Sequence, residues 1–377
     1  MKIGILTFWE SKNNYGQILQ LYALQCILQR LGHDPFVIKY HRVPVAENRT
    51  LMDRLRNVNI LDSIKYRFAG NDRNKAALLD ERRSFFDFKN ENLIFGKSEY
   101  FHVEELKQNP PQADGYIVGS DQVWNHTFSS PVNAFLLGFG SDKIKRISYA
   151  ASFGINEQDS VTQELFKIHL SKFNAISVRE KSGTDIVGNI GLNSDWVIDP
   201  TMLFNRLEWV DLLKLNTIGE NPLDKKNQIF LYTLGNSKIV DRNKFVHYAK
   251  NLKGFSLIHA AANDDLSGSS YPTIEQWVYY ISTSALVITT SFHGMLFCIL
   301  NNTNFVILPN TGHAQGMNER ITSMLGILNL EDHLMSQFNT GQMNSILNKN
   351  IDWNHINEKL DRFRASSMDF LIKNLNS

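Results

Sequence analysis

The 377-residue chain contains only two cysteines, Cys26 and Cys298, and neither sits in a CxxC pair or a Cys/His cluster. That scarcity excludes a disulfide framework and a zinc ribbon, and both residues read as buried thiols of a reducing compartment. Charge of one sign is also lacking. Lys plus Arg is 39 and Asp plus Glu is 38, a net charge of +1, so no basic excess is present to hold nucleic acid nonspecifically. No apolar stretch reaches the roughly 18–20 residues of a membrane span. The apolar run Ile3-Gly4-Ile5-Leu6 is too short for a signal-peptide core, and no small-residue cleavage site follows, so the expected location is the cytoplasm. GxGxxG, GxxxxGK[ST], HExxH and EF-hand patterns are missing, and the acidic pair Asp264-Asp265 reads as a turn; no metal site is expected. No long repeat or low-complexity tract occurs.

What remains is an ordinary globular composition, with 43% hydrophobic and 20% charged residues, long enough for two domains at about 150 residues each. The chain opens as a β-α-β unit. An apolar strand over 2–8 leads into a polar loop, Gly16 opens a helix carrying Leu21, Leu24, Leu28 and Leu31 at helical spacing, Gly32 ends it, and a second strand covers 36–40. Residues 44–112 are less regular and predict helices near 50–67 and 75–90. Short apolar strands follow at 115–118, 147–151, 175–178 and 196–198, with Asp199-Pro200 as punctuation. From 229 onward strands and helices alternate: strands at 229–233, 255–259, 285–289 and 305–308; helices at 238–252, 273–284, 292–301 and 318–328. A last helix over 354–375 presents Ile356, Leu360, Phe363, Met368 and Leu371 as its packing face. The expected fold is α/β with two Rossmann-like domains: residues 1–205 with a helical insertion at about 44–112, residues 206–350, and a C-terminal helix at 351–377 that crosses back to the first domain.

Parallel sheets bind ligands beyond the carboxyl ends of their strands, so the residues just after each strand are the candidates. Thr289-Thr290-Ser291-Phe292-His293-Gly294 follows a strand and opens a helix, where unpaired N–H groups and the dipole favour an anion. Ser291 can bond a phosphate oxygen and His293 can move a proton; an N-cap serine and a packed histidine are the plainer alternative. Gly119-Ser120-Asp121-Gln122-Val123-Trp124-Asn125 offers carboxylate, amide and aromatic groups that suit a sugar, or else a turn with a core tryptophan. Asn13-Asn14-Tyr15-Gly16-Gln17 allows close backbone approach at a helix start, or is an ordinary loop. Arg179, in Ser177-Val178-Arg179-Glu180-Lys181-Ser182-Gly183, and Arg320, in Asn318-Glu319-Arg320, are candidate anion clamps, or else surface charges.

These segments in this order resemble the polysaccharide pyruvyl transferase family. The resemblance rests on Asn14-Tyr15-Gly16, Leu19-Gln20 and Tyr22-Ala23-Leu24-Gln25, on Gly119 to Asn125, and on Ser148-Tyr149-Ala150-Ala151-Ser152-Phe153-Gly154. It continues through Val178 to Gly183, Asp199-Pro200-Thr201, Ser291-Phe292-His293-Gly294 with Phe297, and Phe305-Val306, covering about 1–330. It implies a GT-B-like fold with the active site in the interdomain cleft and phosphoenolpyruvate as donor. It also implies no metal or organic cofactor, and a pyruvate ketal built on two hydroxyls of one sugar in a cell-surface glycan. The acceptor is often lipid-linked at the inner face of the membrane. Some members carry Arg-Leu-His where Ser291-Phe292-His293 stands here, so the anion contact falls to Ser291, the helix N-terminus with Gly294, Arg179 or Arg320. His293 is the candidate acid, and Asp121 a base or hydroxyl orienter. Asn14, Tyr15, Gly16, Ser120, Gln122, Trp124 and Asn125 are the candidate acceptor contacts.

Two other classes suit the same residues: a nucleotide-sugar glycosyltransferase of GT-B type and a noncatalytic glycan-binding protein. A basic bias at Lys65, Arg67, Arg73, Lys75, Arg82 and Arg83, with Phe85, Phe86 and Phe88, raises peripheral membrane contact as an expectation, against the plainer reading of a solvated helix face. The sequence specifies no oligomeric state.

Overall fold

The computed structural model describes residues 1–42, 78–127, 132–234, 241–262, 268–311 and 318–376. In the first half, β1 (Lys2–Leu6), α1 (Tyr15–Arg30) and β2 (Asp34–Tyr40) form the opening unit. α2 (Phe85–Asn92), β3 (Phe95–Tyr100), α3 (Val103–Gln108), β4 (Gly115–Val118), β5 (Lys145–Ser148), α4 (Ser160–Leu170), β6 (Ser177–Val178), α5 (Lys181–Asn189) and β7 (Asp195–Trp196) follow. α6 (Arg206–Leu212) leads to the second half: β8 (Lys226–Leu234), α7 (Arg242–Asn251), β9 (Ser256–Ala262), α8 (Ile274–Thr283), β10 (Ser284–Thr289), α9 (Phe292–Leu300), β11 (Phe305–Ile307), α10 (Glu319–Leu328) and α11 (Thr340–Leu347). The chain closes with α12 (Trp353–Asn376).

The two sheets are wholly parallel. The first has strand order β3-β2-β1-β4-β5, and bridges from Ile147 to Ala175 and from Ala151 to Val178 carry it on to β6 and β7. The second has order β11-β10-β8-β9. Both are doubly wound, and each has a switch point where strand order reverses, between β1 and β4 and between β8 and β10. The expected α/β architecture of two Rossmann-like halves is the observed one.

α1 is apolar on nearly every side, and its Ile18, Leu19, Leu21, Leu24, Ile27 and Leu28 are fully buried, as befits a helix enclosed between two halves. Asn14 caps it, accepting from the Gln17 N–H. Gly32, at φ 82°, stands just past its end, and the His33 N–H returns to the Leu28 carbonyl, the left-handed stop that glycine allows without penalty. Within 44–112 the strand β3 and helix α3 were not foreseen. The helix expected near 50–67 lies outside the described residues, as do Lys65, Arg67, Arg73 and Lys75. Arg83, Phe85 and Phe88 are buried, while Arg82 and Phe86 face solvent. Of the two cysteines, Cys298 is buried and Cys26 half-buried. No described helix is long and apolar enough to cross a membrane.

The halves share one core. Tyr15 stacks on Trp277 at 5.2 Å between ring centroids and donates its hydroxyl to the Pro272 carbonyl at 2.6 Å. Arg83 donates to the Ala261 carbonyl at 2.8 Å. α12 crosses back to the first half: Ser367 Oγ accepts from the Ile198 N–H, Arg364 donates to the Met202 carbonyl, and Phe370 packs near Tyr149.

Candidate active site

The polar centre of the molecule lies where the two switch points meet. Asp199, just past β7, is fully buried. Its Oδ1 accepts from the Thr201 N–H and hydroxyl at 3.0 and 2.8 Å. Its Oδ2 accepts from Arg179 Nη1 and from Ser120 Oγ, both at 2.8 Å, and stands 3.4 Å from His293 Nε2. One carboxylate therefore fixes the arginine that follows β6, the serine that follows β4 and the histidine of α9's first turn. Burial works against its charge, but His293 and Arg179 overcome that and hold the carboxyl well below its usual range.

Asp121 is the second carboxylate. It sits at φ 69°, a left-handed conformation that aspartate adopts more readily than most residues. Its Oδ1 accepts from the Gln122 N–H at 2.8 Å, its Oδ2 accepts from Gln17 Nε2 at 3.0 Å, and Arg179 Nη2 lies 3.9 Å away. Burial would raise its pKa, yet Arg179, His293 and Arg320 together lower it. The turn beneath is tied to α1 and β1: the Ser120 N–H donates to Gln20 Oε1 at 3.0 Å, and Thr7 Oγ1 donates to the Ser120 carbonyl at 2.9 Å.

Two arginines from different halves meet at Phe292. The guanidinium carbons of Arg179 and Arg320 each lie 4.9 Å from its ring centroid. Arg320, near the start of α10, is lowered to about 10 by burial and by the Arg179 charge beside it. With its carboxamide oxygen turned toward the guanidinium, Gln122 accepts from Arg320 Nη1 and Nη2 at 3.0 and 3.1 Å. Among the described residues, Arg179 Nε and Nη2, Arg320 Nε and Glu180 Oε2 have no hydrogen-bond partner. Buried donors are rarely left so, and two guanidinium groups with spare N–H bonds suit a carboxylate and a phosphate.

His293 is seated against α1. A Cβ built on Gly16 would stand 2.2 Å from His293 Cγ and Nδ1, so the missing side chain makes room for the imidazole. Gly16→Ala is therefore expected to push His293 aside. A displacement on the order of 1 Å costs about 100-fold in rate, and overpacking costs about 1–3 kcal/mol of stability. Turnover and melting temperature of the variant check this; wild-type values for both would show that the contact is relaxed at no cost.

The structure thus brings Asp121, Arg179, Arg320, Gln122, Ser291 and His293 together, and corrects several expected contacts. Trp124 is fully buried among Phe153, Phe166 and Phe173, with its indole N–H donated to the Phe135 carbonyl, so it offers no sugar platform. Tyr15 is buried as a tie between the halves. Asn125 is buried, and its Oδ1 accepts from Thr127. Ser120 is fully buried, with its hydroxyl engaged by Asp199. The Gly294 N–H donates to the N-cap Ser291 Oγ at 3.1 Å, and a Cβ there would stand 2.9 Å from Thr289 Oγ1. Asn14 uses its side-chain oxygen as the cap of α1. Sequence reasoning missed Asp199, Gln20 and Glu180 as site residues, and named Gln17 only within its candidate segment. Asp199 carried a signal: it obeys the same strand-end rule that selected Arg179, one strand further on. Among the described residues no group of three or more His, Cys, Asp or Glu is placed to hold a metal ion.

Among solved structures, the chain is similar to the spinosyn rhamnosyltransferase SpnG at 11% identity and a TM-score of 0.48, covering 100% of both chains. It is similar to the Streptomyces sp. SF2575 glycosyltransferase SsfS6 at 12% and 0.43, again over 100% of both. A UDP-GlcNAc 2-epimerase from Neisseria meningitidis gives 13% and 0.42, over 96% of this chain and 100% of that one. No curated protein matches the sequence significantly. The sequence profile of polysaccharide pyruvyl transferases matches residues 14–312, a stretch that contains Asp121, Arg179, Asp199 and His293. The chain belongs to the polysaccharide pyruvyl transferase family, a family of enzymes.

Proposed function

We propose that the protein transfers the pyruvyl group of phosphoenolpyruvate to two hydroxyls of one sugar in a polysaccharide precursor, closing a ketal and releasing phosphate. The observation that carries this reading is the pair Arg179 and Arg320, which meet at Phe292 with unpartnered N–H bonds beside His293. Arg179 and Arg320 hold the carboxylate and phosphate of the donor, and the Ser291 hydroxyl adds a donor at the start of α9. His293 gives a proton to the methylene carbon of the enol. The neighbouring carbon becomes electrophilic and takes the first sugar hydroxyl, whose proton passes to Asp121. Phosphate then leaves with its electron pair as the second hydroxyl closes the ring and gives up its proton. Two hydroxyl protons are lost, one proton is gained by the new methyl group and one by phosphate, so the sequence balances with no redox partner or organic cofactor. The acceptor in this reading is a lipid-linked glycan at the inner face of the membrane, met by a cytoplasmic enzyme.

A melting experiment with phosphoenolpyruvate, UDP, GDP and CMP in parallel tests the donor. A ligand at 100 times its dissociation constant adds about 2.7 kcal/mol to the native state. A shift with phosphoenolpyruvate alone, lost in Arg179→Ala, is the expected outcome. A shift with one nucleotide and none with phosphoenolpyruvate would replace this reading by a nucleotide-sugar glycosyltransferase.

A further inference from the structure

A second cluster lies on the same carboxyl edge of the first sheet, one to three strands away from Ser120 and Asp121, and none of the residues considered so far belongs to it. Past the ends of β1, β2 and β3 stand Trp9, Glu10, His41 and Phe101. His41 is held from both sides: Nδ1 is 2.9 Å from Glu10 Oε1 and Nε2 is 3.2 Å from Glu99 Oε2. Its ring stacks on Phe101, with centroids 4.5 Å apart and planes within 6°. Trp9 packs edge-on against it at 5.0 Å and is itself fixed by donating its indole N–H to the Tyr40 carbonyl. Phe101 nevertheless remains 47% exposed.

We infer that this shelf is a distal sugar subsite, and that the acceptor is an oligosaccharide laid along the carboxyl edge from β4 to β3. The inference rests on the glycan acceptor of the reading above and deepens it. Three features carry it. The edge is where parallel sheets bind ligands, and the shelf continues the row that holds the reacting groups. The Phe101 plate is ordered in advance, since one face is fixed by His41 and His41 by two carboxylates, and among the described residues nothing covers the rest of the ring. An apolar ring bordered by carboxylates matches a sugar, whose C–H face covers the ring while its hydroxyls donate outward. Lys39 pairs with Glu99 and Arg42 with Glu10, so the carboxylates beside the ring are themselves paired.

Spacing fixes the size of the ligand. From β4 to β3 are three strand steps in the order β3-β2-β1-β4, about 14 Å at the usual strand separation. A monosaccharide held at Asp121 and His293 does not reach Phe101; a chain of several sugars does.

The test is a glycan array carrying mono- to hexasaccharides that end in glucose, galactose, mannose or N-acetylmannosamine, read with wild type, Phe101→Ala and Phe101→Trp. Wild type is expected to bind the longer members at least tenfold more tightly than the matching monosaccharides. Phe101→Ala should erase that difference and Phe101→Trp should keep it. Binding by Phe101→Ala that equals wild type, equal binding of short and long sugars, or no binding by wild type to any member would overturn the inference. The melting shift with phosphoenolpyruvate, read on the same proteins, reports on the donor alone. Its absence beside intact Phe101-dependent binding would remove the pyruvyl-transfer reading and leave the subsite standing.

Discussion

Asp199→Ala is expected to destabilise the folded protein by about 3–5 kcal/mol, the usual cost of removing one member of a buried ion pair. The reason is what the carboxylate leaves behind. Arg179 is 3% exposed and Asp199 fully buried, so the guanidinium keeps its charge in a site that water scarcely reaches. Ser120 Oγ and the Thr201 hydroxyl lose their acceptor at the same time. Urea unfolding, with midpoint and slope compared between variant and wild type, measures the loss. Asp199→Asn keeps the shape and part of the hydrogen bonding, and should fall between the two. A change below 1 kcal/mol in the alanine variant would mean that Arg179 finds another partner.

The same pair predicts how stability depends on pH. Asp199 and Asp121 are both held below the ordinary carboxyl pKa in the folded protein. Near neutrality both are ionised in either state, so their contribution is present in full. As the pH falls below about 4, the unfolded chain takes up protons that the folded chain refuses, and stability is lost with a limiting slope of about 1.4 kcal/mol per pH unit for each group still ionised in the folded state. Asp199→Asn removes one of the two groups, so its stability should fall less steeply between pH 4 and pH 3 than that of wild type.

His293→Ala is expected to lower turnover by about 10²–10⁴-fold, the usual contribution of a positioned proton donor. The ring is held in one orientation. Nε2 faces Asp199 at 3.4 Å, the ring rests where Gly16 leaves space, and Arg179 is anchored on the same Asp199 oxygen. Acceptor-dependent release of phosphate from phosphoenolpyruvate is the assay. The melting shift with phosphoenolpyruvate should survive the substitution better than the rate does, because Arg179 and Arg320 remain. Near-normal turnover in a folded variant would show that the proton comes from elsewhere.

The alternating pattern after 229 was plain in the sequence because fully buried parallel strands read as short apolar runs. β3 was not: Phe95–Tyr100 is an edge strand with Gly96, Lys97, Ser98 and Glu99 partly or wholly in water, and it lacks that run. In the candidate site, the strand-end rule selected Asp121, Arg179 and His293, which the structure places together, because a polar side chain follows a recognisable strand. Asp199 escaped although a strand is legible at 196–198 just before it, because the Asp-Pro pair reads as punctuation. Gln20 escaped because it sits on a helix whose apolar residues dominate the pattern. Trp124 and Tyr15 misled for a different reason. An aromatic residue type says that a ring is wanted, but only packing says whether its faces are covered by sugar or by protein.

The return of α12 makes the first half discontinuous in the chain. Ile198, Met202 and Tyr149 meet their partners Ser367, Arg364 and Phe370 only after the entire second half has been made. During synthesis on the ribosome, the first sheet must therefore wait with one flank uncovered while residues 226–347 emerge and fold. The long sequence separation of these contacts slows closure, and the waiting surface is open to aggregation. Viewed this way, the second half is an insertion nested inside the first, and the last helix is the step that completes the older part of the nascent chain.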